Sequence, residues 1–522
     1  MDQKESFKTF IDKGYACEGG YLAVGTAMLD GEGVQDTVVK IPLKTLNRHG
    51  LIAGATGTGK TKTLQILAEQ LSENGVPVML MDIKGDLSGI AQPGSFNKHV
   101  ETRHSLLGIP WEAKGMPVEF FSLSDEKGAR LRATVTEFGP VLLSRILELN
   151  DIQAGVVSLA FKYCDDKKIP LLDLKDFKRV LQYLSEEGKD EIKEEYGAVS
   201  SSSVSTIMRK IIEIEQQGAD RFFGEESFNV EDLLRTNLKG QGMISIIRLT
   251  DIQDRPKLFS TFMLCLLDEI YSTFPEVGDA EKPKLVIFID EAHLIFNEAS
   301  KALLNQIETI VRLIRSKGVG VYFCTQSPTD VPDEILGQLG LKVQHALRAF
   351  TPKDRQMITK TAENYPTSPY YNVPELLTSL GMGEAMITAL DEKGRPTPLA
   401  ATLLRSPNSR MDVLSTAEID AIVASSKLVP FYNREVDRES AYEMLGTKME
   451  SSADIRQSAG KQGGVEAGRQ GGKETGKQES GGELPDIIGE LSKNPMARQI
   501  GNTLVRELAR GLFGVLGGGR RR

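Results

Sequence analysis

Short, continuously apolar runs alternate with longer stretches of helical spacing along most of the chain, and the combination predicts an α/β fold. Gly50–Ala53, Pro77–Met81, Gly242–Ile247, Leu285–Ile289 and Val319–Cys324 are apolar at nearly every position, which is how a strand covered on both faces reads. Leu64–Leu71 and the stretches 256–274 and 299–317 carry the spacing of amphipathic helices. In the last of these, Leu303, Leu304, Ile307, Ile310, Val311 and Ile314 fall on one side, with Arg312 and Arg315 on the other. Val118–Leu123 adds a strand. Lys342–Phe350 reads as an edge strand, and Met386–Leu390 with Pro398–Leu404 as a hairpin about Asp391–Arg395.

These patterns divide the chain. Residues 1–48 read as a small β-rich lead-in of strands and turns, with Val38–Leu43 as its clearest strand. Residues 49–138 and 236–410 form two parts of one α/β core. Between them, at 139–235, strand-like runs nearly vanish and helical stripes such as Leu171, Leu174, Phe177, Val180, Leu181 and Leu184 take over. This is a helical insertion, whose stripes either pack internally or bind a partner or substrate. Residues 411–447 form a helical extension. From 448 to 490 Gly, Gln, Lys, Glu and Ser dominate, the composition of a flexible linker. Asn494-Pro495 then makes a helix start. Met496, Ile500, Leu504, Leu508 and Leu512 form a stripe beyond it, with Arg498, Arg506 and Arg510 off the stripe. A basic amphipathic helix at 491–522 packs on its own core or a sister tail, touches DNA phosphates, or lies on a membrane surface.

Composition narrows the class. The 522 residues leave room for several domains, and the net charge of −9 excludes a protein that coats nucleic acid over its whole surface. A local basic channel stays open. Cys17, Cys164, Cys265 and Cys324 are far apart and form no CxxC pair, so buried thiols in a reducing compartment are expected rather than disulfides or a metal site. The first residues are charged, without the apolar core of a signal peptide, and no stretch has the length of a membrane span. A cytoplasmic protein with no integral membrane association is the expectation.

The candidate chemistry begins at Gly54-Ala55-Thr56-Gly57-Thr58-Gly59-Lys60-Thr61, between a buried strand and a helix. In such a loop the glycines let backbone N–H groups curl around a triphosphate, and the helix presents its positive end to the same anion. Lys60 would reach the β- and γ-phosphates, and the Thr61 hydroxyl would take a place on Mg²⁺. Thr63 joins the expected ATP contacts. A second motif ends the run Leu285–Ile289 in Asp290-Glu291, at the ligand edge of the sheet. There Asp290 would orient Mg²⁺ and its waters, and Glu291 would polarise the attacking water. Gln326, at the end of Val319–Thr325, either senses the γ-phosphate or caps the strand. Asp82 and Asp86 either contact water or Mg²⁺ or cap a turn. Arg312 and Arg315 either reach a neighbouring subunit's γ-phosphate or lie on a solvated face, Arg312 pairing with Glu308. His345 reads as structural.

Several further runs carry a family resemblance. They are Met81-Asp82-Ile83-Lys84-Gly85-Asp86, Leu131-Arg132-Ala133-Thr134 with Gly139-Pro140 and Leu149-Asn150, and Arg312–Gly320 with Thr325-Gln326-Ser327-Pro328. The last is Gln344-His345-Ala346-Leu347-Arg348-Ala349-Phe350-Thr351-Pro352, which makes Arg348 a further candidate. Over about residues 10–520 the chain resembles the HerA-like helicases, within the class of HerA and FtsK translocases, and more closely a bacterial subfamily of HerA-like ATPases. The resemblance implies a P-loop NTPase with a RecA-like core, a ring that is usually a hexamer, and ATP-driven movement on duplex DNA. It favours Gln326 as γ-phosphate sensor and Arg315, then Arg312, as a finger acting across the subunit boundary. The family's larger N-terminal β-barrel helps form the ring and docks a nuclease. Only residues 1–48 precede the phosphate-loop strand here, which leaves that route to a ring, and a nuclease partner, open. The expectation is a Mg²⁺-dependent ATPase that translocates on DNA. A protein-remodelling motor and a nucleotide-gated oligomeric scaffold are the alternatives.

Overall fold

A computed structural model of the chain describes residues 3–252, 255–278, 280–296, 301–436 and 438–449; the expected amphipathic helix at 491–522 and residues 450–490 of the expected linker lie outside them. The described chain forms two compact units. The first joins residues 3–133 to the described residues of 214–436, and the second joins 134–213 to 438–449.

The first unit is built on one twelve-stranded sheet. Its strands are β1 (Tyr21–Leu29), β2 (Glu32–Pro42), β3 (Gly50–Ala53), β4 (Val78–Asp82), β5 (Val118–Ser122) and β6 (Ala129–Arg130). The later segments supply β7 (Ile244–Arg248), β8 (Leu285–Ile289), β9 (Val319–Thr325), β10 (Leu341–Gln344), β11 (Glu384–Thr388) and β12 (Ala400–Leu404). The order is β2-β1-β12-β11-β10-β3-β9-β8-β4-β7-β5-β6. From β10 to β6 every pairing is parallel, and from β10 outward through β11, β12 and β1 to β2 every pairing is antiparallel.

The parallel part explains the sequence pattern. β3, β4, β8 and β9 are buried at every residue, since strands in the middle of such a sheet are covered on both faces. The helix Lys60–Glu73 adds Leu64, Ile66, Leu67, Ala68 and Leu71 to the core. Each large side chain among them contributes about 1.5–3 kcal/mol on leaving water. Charged groups are buried on the same helix where partners exist. Glu69 Oε2 accepts from the Asn408 N–H at 2.8 Å, and Oε1 from the Ser409 N–H at 2.9 Å.

Three expectations are corrected. Lys342–Phe350 is not an edge: only Leu341–Gln344 is strand, and it lies inside the sheet between β3 and β11. Residues 1–48 are not a separate lead-in of strands and turns. They open with the helix Gln3–Gly14, which buries Phe7 and Ile11, and they extend the main sheet, β1 pairing with β12 and β2 with β1. The expected insertion at 139–235 is offset. Its first helix already begins at Val135, behind a Thr134–Glu137 capping box, and is broken at Gly139-Pro140. The chain belongs to the first unit again from Ile214, where Phe222, Phe223, Val230 and Leu233 are buried.

The second unit is helical. Val135–Ile146, Asp151–Lys167, Leu174–Ser185, Lys189–Glu195 and, as far as Glu213, Ser201–Gln216 follow one another, the second and third opened by capping boxes at Asn150 and Asp173. Val157, Phe161, Phe177, Leu181, Leu184, Ile207 and Ile211 form its interior. A last helix at 441–449 joins it. Arg179 lies 4.5 Å over the Tyr442 ring, and the Ala441 N–H donates to Pro170 O at 3.1 Å. The expected linker start at 448 falls on the last two residues of this helix.

Candidate functional site

Register gathers the candidates at one edge of the sheet. Ala53 pairs with Thr325 on one side and Gln344 on the other, so Gly54, Gln326 and His345 leave their strands at one level. Ile289 pairs with Phe323 and Met81, which sets Asp290 level with Cys324 and Asp82. β9 therefore stands between the phosphate-loop strand and the strand that ends in Asp290-Glu291. All these residues lie at carboxyl ends of parallel strands, where open α/β sheets place their ligands.

The loop itself requires its glycines. Gly54, Gly57 and Gly59 have φ values of 152°, 79° and 109°. A side chain at Gly54 would put its Cβ 2.5 Å from His345 Cβ, whereas one at Gly57 would meet nothing within 4 Å. Ala55, Thr56 and Gly57 are at least partly exposed, while Thr58 is buried with its hydroxyl donating to Ala55 O at 2.7 Å. The helix that starts at Lys60 has no acid in its first turn, which leaves its positive end open to an anion. The Lys60 ammonium is turned back onto the loop, donating to Gly54 O at 2.6 Å and Ala55 O at 3.2 Å. Burial holds its pKa below that of an ordinary lysine, against the charges of Glu291 and Asp290.

Behind the loop stand the acids. Asp290 is buried, and its Oδ2 has no hydrogen-bond partner among the described residues. Burial, then the charge of Glu291, pushes its pKa up to about 6, while Lys84 works in the opposite direction. Glu291 is buried too and has a positive φ of 47°, a conformation a non-glycine residue adopts only when its surroundings impose it. The Lys84 ammonium is ion-paired with Glu291 Oε1, and His293 Nδ1 lies 3.1 Å from Oε2 without a hydrogen bond between them. The Ala292 N–H donates to Cys324 O at 2.9 Å, tying this turn to β9.

The other candidates divide. Asp82 serves the turn after β4: Oδ1 accepts from the Gly85 N–H at 2.7 Å and the Asp86 N–H at 3.2 Å, and Oδ2 from the Leu87 N–H at 3.3 Å. Burial and the charge of Asp86 raise its pKa to about 7. Asp86 Oδ1 is buried without a hydrogen-bond partner among the described residues. Thr61 is partly exposed at the mouth of the loop. Thr63 is buried one turn in, its hydroxyl 2.9 Å from His345 Nε2. Gln326 is exposed immediately beyond β9. Arg312 and Arg315 are exposed, with Arg312 donating to Glu308 Oε1 at 2.5 Å. Arg348 is exposed on the loop after β10.

Three residues were not singled out as site residues from sequence. Lys84 and His293 flank Glu291, and His345 lies beneath the loop. The His345 N–H donates to Ala53 O at 2.7 Å and the Ala55 N–H to Ala346 O at 2.9 Å, so the loop is pinned to the segment after β10. Burial, then the charge of Lys60, lowers the His345 pKa to about 4 and keeps the ring neutral. Only strand register carried a signal for Lys84, since the turns after two neighbouring parallel strands meet.

These residues fit a Mg²⁺–nucleoside triphosphate. The loop is open and glycine-lined, the helix start lacks an acid, and a buried carboxylate oxygen, Asp290 Oδ2, has no hydrogen-bond partner among the described residues. Thr61 and Asp290 would hold the cation.

Known proteins resemble this chain over much of its length. The chain is 23% identical over 362 residues to the DNA double-strand break repair helicase HerA of Sulfolobus acidocaldarius, covering 67% of this chain and 64% of that protein. It is 23% identical over 381 residues to the protein of the same name from Saccharolobus solfataricus, covering 71% and 66%. The chain thus spans just under two thirds of the length of these relatives. Among solved structures, the bacterial conjugative coupling protein TrwB superposes with a TM-score of 0.49 at 14% identity, covering 78% of this chain and 94% of that one. The model for the C-terminal part of HerA-like helicases matches residues 28–522, and the chain belongs to that family.

Proposed function

We propose that the protein is a Mg²⁺-dependent ATPase that couples hydrolysis to movement on duplex DNA as a homo-oligomeric ring. The observation that supports the hydrolytic half is strand order: β3, which leads into the loop of Lys60, and β8, which leads into Asp290 and Glu291, flank β9 with their carboxyl ends at one edge. A site that only binds nucleotide needs no second buried carboxylate beyond Asp290. In this reading the loop N–H groups and Lys60 cradle the phosphates, Glu291 takes the proton of the attacking water, and Gln326 senses the γ-phosphate. Mg²⁺ on Thr61 and Asp290 would neutralise charge on the β- and γ-oxygens. Arg315, and after it Arg312, would complete the site of the neighbouring subunit.

The DNA half is supported by the relatives, which are DNA double-strand break repair helicases. A hexameric ring, DNA in its pore and a nuclease partner come from the family resemblance alone. A cytoplasmic location goes with this reading. Among the described residues no helix is long and apolar enough to cross a membrane.

Measuring ATP turnover of the full chain with and without duplex, single-stranded and forked DNA tests both halves. The expected result is DNA-stimulated hydrolysis that Lys60→Ala abolishes. Turnover indifferent to every DNA form would remove the translocase half, and a Lys60→Ala variant that still hydrolyses ATP would remove the site.

A further inference from the structure

Lys84 has no part in the roles assigned so far, yet its ammonium contacts Glu291 Oε1, and His293 Nδ1 lies 3.1 Å from Oε2. A general base needs a lone pair directed at water. Here the Lys84 ammonium is paired with Glu291 Oε1, so that oxygen is not directed at water. The two partners of the ion pair differ in freedom. Glu291 is 5% exposed and fixed at positive φ, whereas Lys84 is 42% exposed on a flexible four-carbon stem. If the pair opens, Lys84 is the one that moves.

What could draw it away is set by its neighbours. Lys84 acts electrostatically on Lys60, and Asp290 and Asp86 act on Lys84, so the two ammonium groups share one charged neighbourhood at the carboxyl ends of β3, β4 and β8. A terminal phosphate offers several anionic oxygens where Glu291 offers one to Lys84, and it competes strongly for an ammonium group. A nucleoside diphosphate ends one phosphate short and does not compete.

Resting on the ATPase reading above, we propose that Lys84 is a positioning residue that responds to the terminal phosphate. It holds Glu291 in an ion pair while that phosphate is absent and passes to the phosphate when a triphosphate binds. Glu291 Oε1 is then exposed to the attacking water while His293 stays beside Oε2. The base is armed only when there is a γ-phosphate to cleave.

The test is equilibrium binding of ADP and of a non-hydrolysable ATP analogue, each with Mg²⁺, to the full chain. Lys84→Met should weaken the analogue by about tenfold or more, the scale of a lost charge-assisted hydrogen bond, and leave ADP within about twofold. Unchanged ADP affinity also reports that the variant is folded. Lys84→Arg should restore most of the preference. Glu291→Gln removes the competing carboxylate, so it should tighten the analogue but not ADP, and lose this effect when combined with Lys84→Met. Equal changes for both nucleotides, no change for either, or tightening by Glu291→Gln that is independent of Lys84 would overturn the proposal. A wild-type chain that binds and hydrolyses ATP while Lys84→Met leaves the preference intact removes the role of Lys84 alone. A wild-type chain that binds neither nucleotide removes the ATPase reading, and this proposal with it.

Discussion

Asp82 and Asp290 end neighbouring strands at one level, yet their carboxylates have different surroundings. Three backbone N–H groups occupy Asp82, while Asp290 keeps an oxygen with no hydrogen-bond partner among the described residues. Desolvation still dominates at Asp82 and lifts its pKa from 3.8 to about 7. A carboxyl raised in this way keeps a proton in the fold that the unfolded chain has already lost. Its effect on stability therefore falls as pH rises from about 4, and the full cost is present above about 7. Asp82→Asn keeps the Oδ1 acceptor and removes the ionisation. Relative to wild type, its urea midpoint should climb steadily between pH 5 and pH 8, and a flat difference would show that Asp82 does not titrate in this range. Gly54 makes a second prediction at this scale. Alanine there combines a positive φ with a Cβ 2.5 Å from His345, so Gly54→Ala should cost about 2 kcal/mol or more and displace the loop from nucleotide. Chemical denaturation and nucleotide binding measured together check both effects.

The helix Lys60–Glu73 and the segment after β12 are joined by a buried network that hydrophobic pattern does not reveal. Glu69 receives the Asn408 and Ser409 N–H groups, and Gln65 Nε2 donates to Ser409 Oγ at 2.6 Å and Arg410 O at 2.9 Å. Glu69→Ala removes the acceptor of three buried donors, the Asn408 and Ser409 N–H groups and the Ser409 hydroxyl, at about 1–3 kcal/mol for each left unpaired. It should lower the thermal midpoint and expose the 405–412 segment to protease, and a midpoint within error of wild type would deny this segment its tether. Elements were legible where burial is uniform. β3, β4, β8 and β9 are covered on both faces and read as unbroken apolar runs. They were least legible where few residues carry the packing. The helix Gln3–Gly14 buries only Phe7 and Ile11, and its charged remainder looks like surface. β10 is four residues long and ends in Gln344-His345, so its interior position was read as an edge. The site followed the same division. Loop and acid motifs are local in sequence, but Lys84 meets Glu291 only because β4 pairs with β8, and strand order is not written in any one segment.

For the whole molecule, the net charge of −9 constrains the proposed movement on DNA. With that charge, a translocase of this kind would hold DNA on a limited basic lining rather than over its whole surface. The proposed ring also bears on Arg315, exposed in the turn between the helix Lys301–Ile314 and the amino end of β9. If Arg315 completes the site of an adjacent subunit, Arg315→Ala should bind ATP normally and lose turnover by about 10³-fold or more, the usual worth of a finger acting in trans. Lys60→Ala disables a subunit's own loop but leaves its Arg315 intact. Mixing the two inactive variants should then restore part of the turnover, because some interfaces pair an intact loop with an intact arginine. Activity recovered on mixing, and absent from either variant alone, is the outcome that only a shared site produces. If the mixture stays as inactive as its parts while light scattering shows mixed rings, Arg315 belongs to its own subunit's surface, and the neighbour must complete the site with another residue or not at all.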